Sequence, residues 1–249
     1  MEPIIEVRNL VKVFHSRGRT ITAVNDVSFD VFKGEIFGMI GPNGAGKSTT
    51  FSVLTTLLKP TKGSVKVAGF DVEKDDARIR PLIGIVPQKL SLYPILTARE
   101  NLELMGNLYN VPKQVMEERI DYYLRLVGLE NSADRFTGGF SGGMKQRLSV
   151  ISAVIHDPEI LFWDEPSTGL DPQTRNVIWK LAKKFNGEGK TLIFTTHYME
   201  EADNLCDRVA VMDLGKMVAL DNPERLKEIS GSKTLEEVFV HFTGEEVRD

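Results

Sequence analysis

The sequence predicts an α/β fold, with a mixed or parallel sheet, an N-terminal antiparallel β subdomain and an inserted α-helical subdomain. Short apolar runs at 83–86 and 160–163 are typical of strands buried on both faces. A helical pattern precedes the next apolar run, at 192–195, and this alternation favours a parallel sheet. Helical periodicity between residues 89 and 157 indicates the insertion.

The first part of the chain shows strand patterns followed by a helix. Segments 4–14 and 23–32 alternate between apolar and polar residues, and the turn residues at 16–19 predict a hairpin between them. The apolar run 35–40 predicts a buried strand, and 47–58 predicts the helix that follows it.

The remaining elements follow from the same patterns. Helices are expected where apolar residues recur at helical spacing, and strands where short apolar runs return. The predicted helices are 98–109, 116–127 and 177–185, followed after a hairpin at 209–220 by short helices at 223–229 and 234–242. We therefore divide the chain into a core (1–88 and 158–220), a helical subdomain (89–157) and a short helical tail (221–249).

The composition is that of an ordinary globular protein. The 31 basic and 35 acidic residues give a net charge of −4, which does not indicate nucleic acid as a partner. Cys206 is the single cysteine, so we expect a buried structural thiol and a reducing compartment. The sequence shows no signal-peptide layout and no run of ~18 apolar residues. A soluble chain is expected.

The segment 41–49 fits the phosphate-binding loop pattern Gly-x4-Gly-Lys-Ser in full. Its glycines allow successive N–H groups to point at phosphate oxygens, and the helix that follows adds a partial positive charge. Lys47 is expected to reach the β and γ phosphates, and Ser48 to ligate Mg²⁺. Because the loop lies between a strand and a helix, a plain glycine-rich turn is the weaker interpretation. The predicted nucleotide-binding residues here are Gly41, Pro42, Asn43, Gly44, Ala45, Gly46, Lys47, Ser48 and Thr49.

Two acidic residues follow the predicted strand 160–163. Asp164 at the carboxyl end of this strand is placed to hold Mg²⁺. Glu165 is placed to deprotonate the attacking water. An acidic pair after a strand is usually only the start of a loop, but the upstream phosphate loop favours the catalytic interpretation.

A second glycine-rich loop, Ser141-Gly142-Gly143, precedes a predicted helix. Its amides would form another anion site. One nucleotide has no obvious need for two such loops.

With these motifs in this order, the sequence resembles the ATPase subunit of an ABC transporter, a P-loop NTPase, from Phe14 to about residue 220. It is most similar to the exporter type of antibiotic resistance and sodium extrusion, on short matches at 195–202 and 234–239. The resemblance implies that Phe14 stacks on adenine and that Gln88 contacts Mg²⁺. Ser141, Gly142 and Gly143 match the signature loop that completes the site of a second subunit.

Two further residues take their roles from the resemblance. Asp171 matches a loop that crosses the dimer interface, although it is also a good helix cap. His197 matches the switch histidine that bonds the γ-phosphate, and a lone histidine after a strand is more often structural. The signature departs from the family pattern at Met144, where glutamine is usual, so a side-chain contact with ribose is not expected from this position.

The resemblance implies ATP and Mg²⁺ as cofactors and a homodimer that forms on ATP binding. It also implies an integral membrane permease as partner, a peripheral location at the cytoplasmic face of the cell membrane, and docking through 88–101, including Tyr93, Leu96 and Glu100. Export of a drug, lipid, ion or other small cargo is the main hypothesis. A soluble assembly ATPase, such as one of iron–sulfur assembly, stays open. A silent nucleotide-binding module is disfavoured because Lys47 and Glu165 are both present.

Overall fold

The computed structural model describes residues 2–16 and 18–244, which form two sheets and surrounding helices. The first sheet has the order β2-β1-β4-β5 and is antiparallel. The second has the order β10-β9-β3-β8-β7-β6, in which only β10 runs antiparallel to its neighbour. The strands are β1 (Pro3–Ser16), β2 (Arg19–Phe32), β3 (Ile36–Ile40), β4 (Lys62–Val67), β5 (Phe70–Asp71), β6 (Ile83–Val86), β7 (Ile160–Asp164), β8 (Thr191–Thr196), β9 (Arg208–Asp213) and β10 (Lys216–Asp221).

Helices pack on the second sheet, and no strand lies in the described range between β6 and β7. Three of them, α3 to α5, lie within residues 89–157, and the boundaries of the subdomains stay a prediction. The helices are α1 (Lys47–Leu54), α2 (Asp76–Ile79), α3 (Ala98–Leu108), α4 (Lys113–Leu126), α5 (Gly142–Ser152), α6 (Pro172–Gly187), α7 (Met199–Leu205), α8 (Pro223–Ser230) and α9 (Leu235–Thr243).

The central strands β3 and β8 of the second sheet are buried on both faces, as their apolar runs predict. In β3, Phe37 and Met39 face the core shared with the antiparallel sheet, while Ile36 and Ile40 face the core shared with the helices. Phe29 of β2 stacks on Phe37 at a centroid distance of 5.2 Å, which joins the two sheets.

Cys206 follows α7 directly and is buried, as expected from the sequence. Burial raises the pKa of its thiol well above the ordinary value. A Cβ at Gly38, in the middle of β3, would lie 2.7 Å from the Cys206 sulfur. The thiol therefore fills the space left by a glycine in a central strand.

The first helix is shorter than predicted: α1 ends at Leu54, whereas the sequence indicated a helix over 47–58. Thr56 has a φ of 62°, which breaks the helical path. The hydroxyl of Thr55 donates to the Phe51 carbonyl, and the amides of Leu57 and Leu58 both donate to the Ser52 carbonyl. The two threonines thus end the helix before Pro60 is reached.

Three elements, β4, β5 and α2, were not predicted from the sequence. The buried side chains of β4, Val65 and Val67, alternate with exposed residues, so a period of two was present but short. The two hairpins and the other predicted helices are found, with ends shifted by a few residues. Residue 17 of the first predicted turn lies outside the described residues.

Candidate functional site

The phosphate loop lies between β3 and α1 and lines a cavity of about 470 Å³. Glycine is required at two of its positions because the backbone has positive φ and neighbours are close. A Cβ at Gly41, where φ is 147°, would lie 2.1 Å from the Met212 carbonyl oxygen, and one at Gly46, where φ is 100°, would lie 2.6 Å from the Ala23 carbonyl oxygen. The cavity is lined by Ile21, Thr22, Ala23, Pro42, Asn43, Gly44, Ala45, Gly46, Lys47, Ser48, Thr49, Gln88, Glu165 and Leu214.

Lys47, the first residue of α1, is buried at the floor of the loop. Its Nζ donates to the carbonyl oxygens of Gly41 at 2.7 Å and Pro42 at 3.1 Å. Burial lowers the pKa of its ammonium group, an effect that the nearby Glu165 and Asp164 oppose. The Glu165 carboxylate is 3.9 Å from the Lys47 ammonium, which is too far for a direct hydrogen bond. A bound phosphate group would supply a negative charge in direct contact with this ammonium.

Asp164 ends β7 beside the phosphate loop, as the parallel order of the strands requires. Its Oδ1 accepts hydrogen bonds from Ser48 Oγ at 3.4 Å and from Thr195 Oγ1. Burial raises the pKa of the carboxyl group, and these hydroxyls oppose the shift. Serine and aspartate oxygens are ligands that suit Mg²⁺, and a cation would compensate the desolvated charge.

Glu165 adopts a left-handed conformation with φ of 48°, which is unusual for a non-glycine residue. Its amide donates to two oxygens of Thr195, the backbone carbonyl at 3.0 Å and the side-chain hydroxyl at 3.1 Å. The carboxylate is buried and accepts hydrogen bonds on Oε2 from Gln88 Nε2 at 3.0 Å and Thr168 Oγ1 at 3.2 Å. The strained turn thus directs a buried carboxylate towards the cavity.

His197 follows β8 and reaches the same carboxylate. Its Nδ1 lies 3.2 Å from Glu165 Oε2, at an angle that is not that of a hydrogen bond. The ring also stands 4.2 Å, between centroids, from the Tyr198 ring. The cavity therefore brings Gln88 and Glu165 to the predicted phosphate loop, and ten of the predicted residues line it. His197 contacts Glu165, and Asp164 bonds Ser48.

The second glycine loop lies elsewhere and lines no part of the cavity. Ser141 caps α5 by accepting a hydrogen bond from the Met144 amide at 3.3 Å. A Cβ at Gly143 would lie 2.9 Å from Thr174 Oγ1, so this loop packs on the start of α6. Asp171 caps α6 through the Thr174 amide at 2.9 Å. Within one chain, Ser141, Gly142, Gly143 and Asp171 form a group apart from the phosphate loop.

Phe14 does not line the cavity, but its β1 position pairs with Ile21 of β2, which does. The Phe14 ring is 38% exposed, and the Lys12 ammonium lies 5.2 Å from its centroid. Four cavity residues were not predicted from the sequence, namely Ile21, Thr22, Ala23 and Leu214. Thr195, which bonds both acidic residues, was not predicted either. Thr195 was within a predicted strand, and nothing in that pattern distinguished its hydroxyl from a core position.

A metal site made by protein ligands alone is not found: the described residues contain no group of three or more His, Cys, Asp or Glu side chains that could hold an ion.

The fold and this site define a nucleotide-hydrolysing protein of the phosphate-loop type, with the loop, the acidic pair and a histidine at the carboxyl ends of neighbouring strands. Sequence comparison extends this result. The family described as ABC transporter matches residues 24–168. A shorter match over 137–203, to a family described as "AAA domain, putative AbiEii toxin, Type IV TA system", overlaps it.

Two similar proteins carry names that refer to resistance and export. The linearmycin resistance ATP-binding protein of Bacillus subtilis (strain 168) is 40% identical over 237 residues, which are 95% of this chain and 75% of that protein. The Nod factor export ATP-binding protein I of Ralstonia nicotianae is 39% identical over 224 residues, which are 90% of this chain and 68% of that protein.

Solved structures show the same fold. The ATP-binding subunit of an ABC transporter has a TM-score of 0.87 and 28% identity, with coverage of 96% of this chain and 99% of that chain. A dimeric ATP-binding cassette in a post-hydrolysis state, bound to ADP and Pi, has a TM-score of 0.80 and 30% identity, with coverage of 88% and 98%.

The chain therefore belongs to the ABC transporter family, and it is an ATP-binding subunit with ATPase activity. The relatives favour an exporter ATPase over the soluble assembly ATPase. This confirms the main hypothesis that the chain is the ATPase subunit of an exporter-type transporter. No helix in the described part of the chain is long and apolar enough to cross a membrane.

Proposed function

We propose that this chain powers an exporter as a homodimer, in which each ATP lies between the phosphate loop of one copy and the Ser141–Gly143 loop of the other. The observation that carries this proposal is the separation of the two glycine loops: only the phosphate loop lines the cavity of its own chain. The cap by Ser141 leaves the first amides of α5 available to a ligand. The dimeric cassette that the chain resembles is consistent with this arrangement.

Each residue of the site has a role in this proposal. Lys47 and the loop amides hold the phosphates, and Glu165 accepts a proton from the attacking water. His197 bonds the γ-phosphate. Ser48 and Asp164, with Gln88 beside them, hold Mg²⁺, which supplies charge neutralisation at the phosphate oxygens. Phe14 stacks on adenine, and Asp171 contributes to the dimer interface.

The membrane partner is a separate permease, and the chain binds it at the cytoplasmic face of the cell membrane through residues 88–101. The exposure of Tyr93 (54%) and Ile95 (79%) supports this surface. The Glu100 side chain, in contrast, forms a capping box with Thr97 at the start of α3, so its carboxylate already has a hydrogen-bond partner within the chain. The names of the relatives refer to linearmycin resistance and Nod factor export, which supports a small exported cargo.

The test is purification of the tagged chain from gently solubilised membranes, followed by identification of the proteins that accompany it. We expect an integral membrane protein, lost in Ile95→Asp but retained in Leu57→Asp, which changes an exposed leucine (67%) outside the docking segment. ATPase activity of both variants is measured as the control for folding. Recovery of a soluble scaffold without any membrane protein would favour the assembly ATPase instead.

A further inference from the structure

The turn between β9 and β10 contains an unusual residue. Leu214 has a φ of 46°, in the left-handed region that leucine rarely adopts, and its side chain is 66% exposed. A single exposed leucine is common on proteins. Leu214 combines two unfavourable features, an apolar side chain in water and a strained backbone. Strained backbone conformations of this kind are concentrated at functional sites.

This turn is fixed to the phosphate loop. The amide of Gly215 donates to the Ala45 carbonyl at 3.0 Å, and the Gly215 carbonyl accepts from the Asn25 amide at 2.7 Å. A Cβ on Gly46 would come within 3.3 Å of Gly215 Cα, so the two backbones are in direct contact. The position of Leu214 is therefore set by the same hydrogen bonds that hold the loop.

Leu214 lines the cavity of about 470 Å³ that the phosphate loop also lines. The same lining includes the charged side chains of Lys47 and Glu165. Ile21 on β2, which is 58% exposed, is the other large aliphatic side chain of the lining, and Phe14 is its partner across the β1–β2 pairing. A nucleotide combines groups that match both kinds of lining, namely charged phosphates and a flat, weakly polar base.

We propose that Leu214 is a binding residue for the adenosine part of the nucleotide, packing against it from the side of the β9–β10 turn. This inference rests on the proposed function, because it assumes that the phosphate loop holds the phosphates. Contact with adenosine removes the Leu214 side chain from water, and this burial contributes favourable free energy to nucleotide binding. Leu214 thereby adds a second contact to a base site that the family resemblance assigns to the aromatic Phe14 alone.

The test compares ADP with inorganic pyrophosphate, because the two ligands differ by adenosine and neither is hydrolysed at the γ position. In Leu214→Asn, we expect the dissociation constant of ADP to rise about tenfold, because the adenosine no longer covers an apolar side chain at this turn. That of pyrophosphate stays within about twofold of the wild-type value. The melting temperature of the free variant rises by about 2–4 °C, since asparagine tolerates the left-handed conformation.

Two variants control this measurement. Leu214→Met keeps an apolar side chain on the same turn and retains the wild-type affinity for ADP. Leu108→Asn, at an equally exposed leucine (66%) that does not line the cavity, also retains it. Unchanged ADP affinity in Leu214→Asn would overturn the inference, and so would an equal loss of pyrophosphate affinity. Absence of ADP binding by the wild-type chain would instead contradict the proposed function itself.

Discussion

Gln88 Nε2 donates a hydrogen bond of 3.0 Å to Oε2 of Glu165, 77 residues further along the chain. Gln88 lies two residues after β6 and begins the segment 88–101 that we propose as the docking surface. Glu165 is the buried carboxylate at the end of β7. A movement of the proposed docking segment would therefore change a hydrogen bond of the proposed catalytic base, and this contact would link a permease bound there to hydrolysis.

Replacement of the base separates ATP binding from hydrolysis. In Glu165→Gln, phosphate release falls by about 10²–10⁴-fold because the amide cannot accept a proton from water. ATP affinity is retained, and gel filtration shows a dimer in the presence of ATP. Glu159→Gln, which removes an exposed carboxylate, keeps full activity. Normal turnover in Glu165→Gln would exclude this residue as the base.

Removal of the buried ammonium has a different result. Lys47→Ala loses ATP affinity by at least about tenfold, measured by equilibrium binding, because the phosphates lose a desolvated charge partner. The free variant is not strongly destabilised, since the ammonium is held in a site that lowers its pKa. Lys62→Ala, at an exposed position in β4, serves as the control. An unchanged affinity for ATP would contradict the assignment of the phosphate loop.

Mixing two inactive variants tests whether the site is shared. Lys47→Ala has a phosphate loop that binds ATP poorly, and Ser141→Arg has a second glycine loop that is blocked by the arginine side chain. In a mixed dimer one of the two sites combines the intact loops, so we expect ATPase activity to return to a measurable fraction of the wild-type rate. Each variant alone stays inactive at the same total concentration. If no mixing ratio restores activity, the nucleotide site is not composed of two copies.

The phosphate loop and the acidic pair could be predicted because each depends on local residue order at a strand end. Thr195 could not, because its hydroxyl matters only through its place opposite Asp164 in the neighbouring strand, and this register is a tertiary property. The same is true of Leu214, whose turn was predicted but whose neighbour Gly215 bonds to Ala45 in a distant part of the chain.

The fold shows the same division between local and tertiary information. Periodicity located α3, α4 and α6, which carry long apolar stripes. It overestimated α1, where Thr56 adopts a positive φ that the apolar pattern did not indicate. The short strand β4 escaped detection because only Val65 and Val67 mark its buried face.

His156 predicts a dependence of stability on pH. Its ring stacks on Tyr109 with centroids 3.7 Å apart, and Nε2 donates to the Ile83 carbonyl at 2.9 Å. Burial lowers its pKa below the ordinary 6.5; nearby Lys190 and Arg119 also lower it, while this hydrogen bond and the charge of Asp157 oppose the shift. Below pH 6.5 the unfolded chain therefore binds the proton more readily than the folded chain, so the free energy of unfolding falls.

Chemical denaturation between pH 7.5 and 5.5 measures this effect. His156→Gln loses less stability than the wild-type chain over that interval, because the titrating group is absent. His15→Gln, at an exposed histidine, is measured over the same interval as the matched control. Identical slopes for wild type and His156→Gln would show that this imidazole does not titrate differently in the two states.

Glu201 in α7 is a buried acidic residue, and we expect its negative charge to be unfavourable for folding. Its Oε1 accepts a hydrogen bond from the indole Nε1 of Trp179 at 3.0 Å, while Oε2 has no hydrogen-bond partner among the described residues. Burial raises the pKa of the carboxyl group, opposed by the side chains of Thr196, Ser167 and Trp179 and by the charge of Arg175. The ionised form therefore costs free energy above the folded-state pKa, and this cost declines as the pH falls towards 4.5.

Two substitutions at Glu201 separate its charge from its hydrogen bond. Glu201→Gln keeps an acceptor for Trp179, so at neutral pH it is at least as stable as the wild-type chain, and this advantage shrinks in acid. Glu201→Leu leaves the indole N–H without an acceptor and is about 1–3 kcal/mol less stable than Glu201→Gln. Urea denaturation at pH 7.5 and 5.0 measures both differences. A Glu201→Gln variant that is much less stable than wild type at pH 7.5 would mean that the ionised carboxylate has a favourable partner there, and the charge of Arg175 is the candidate.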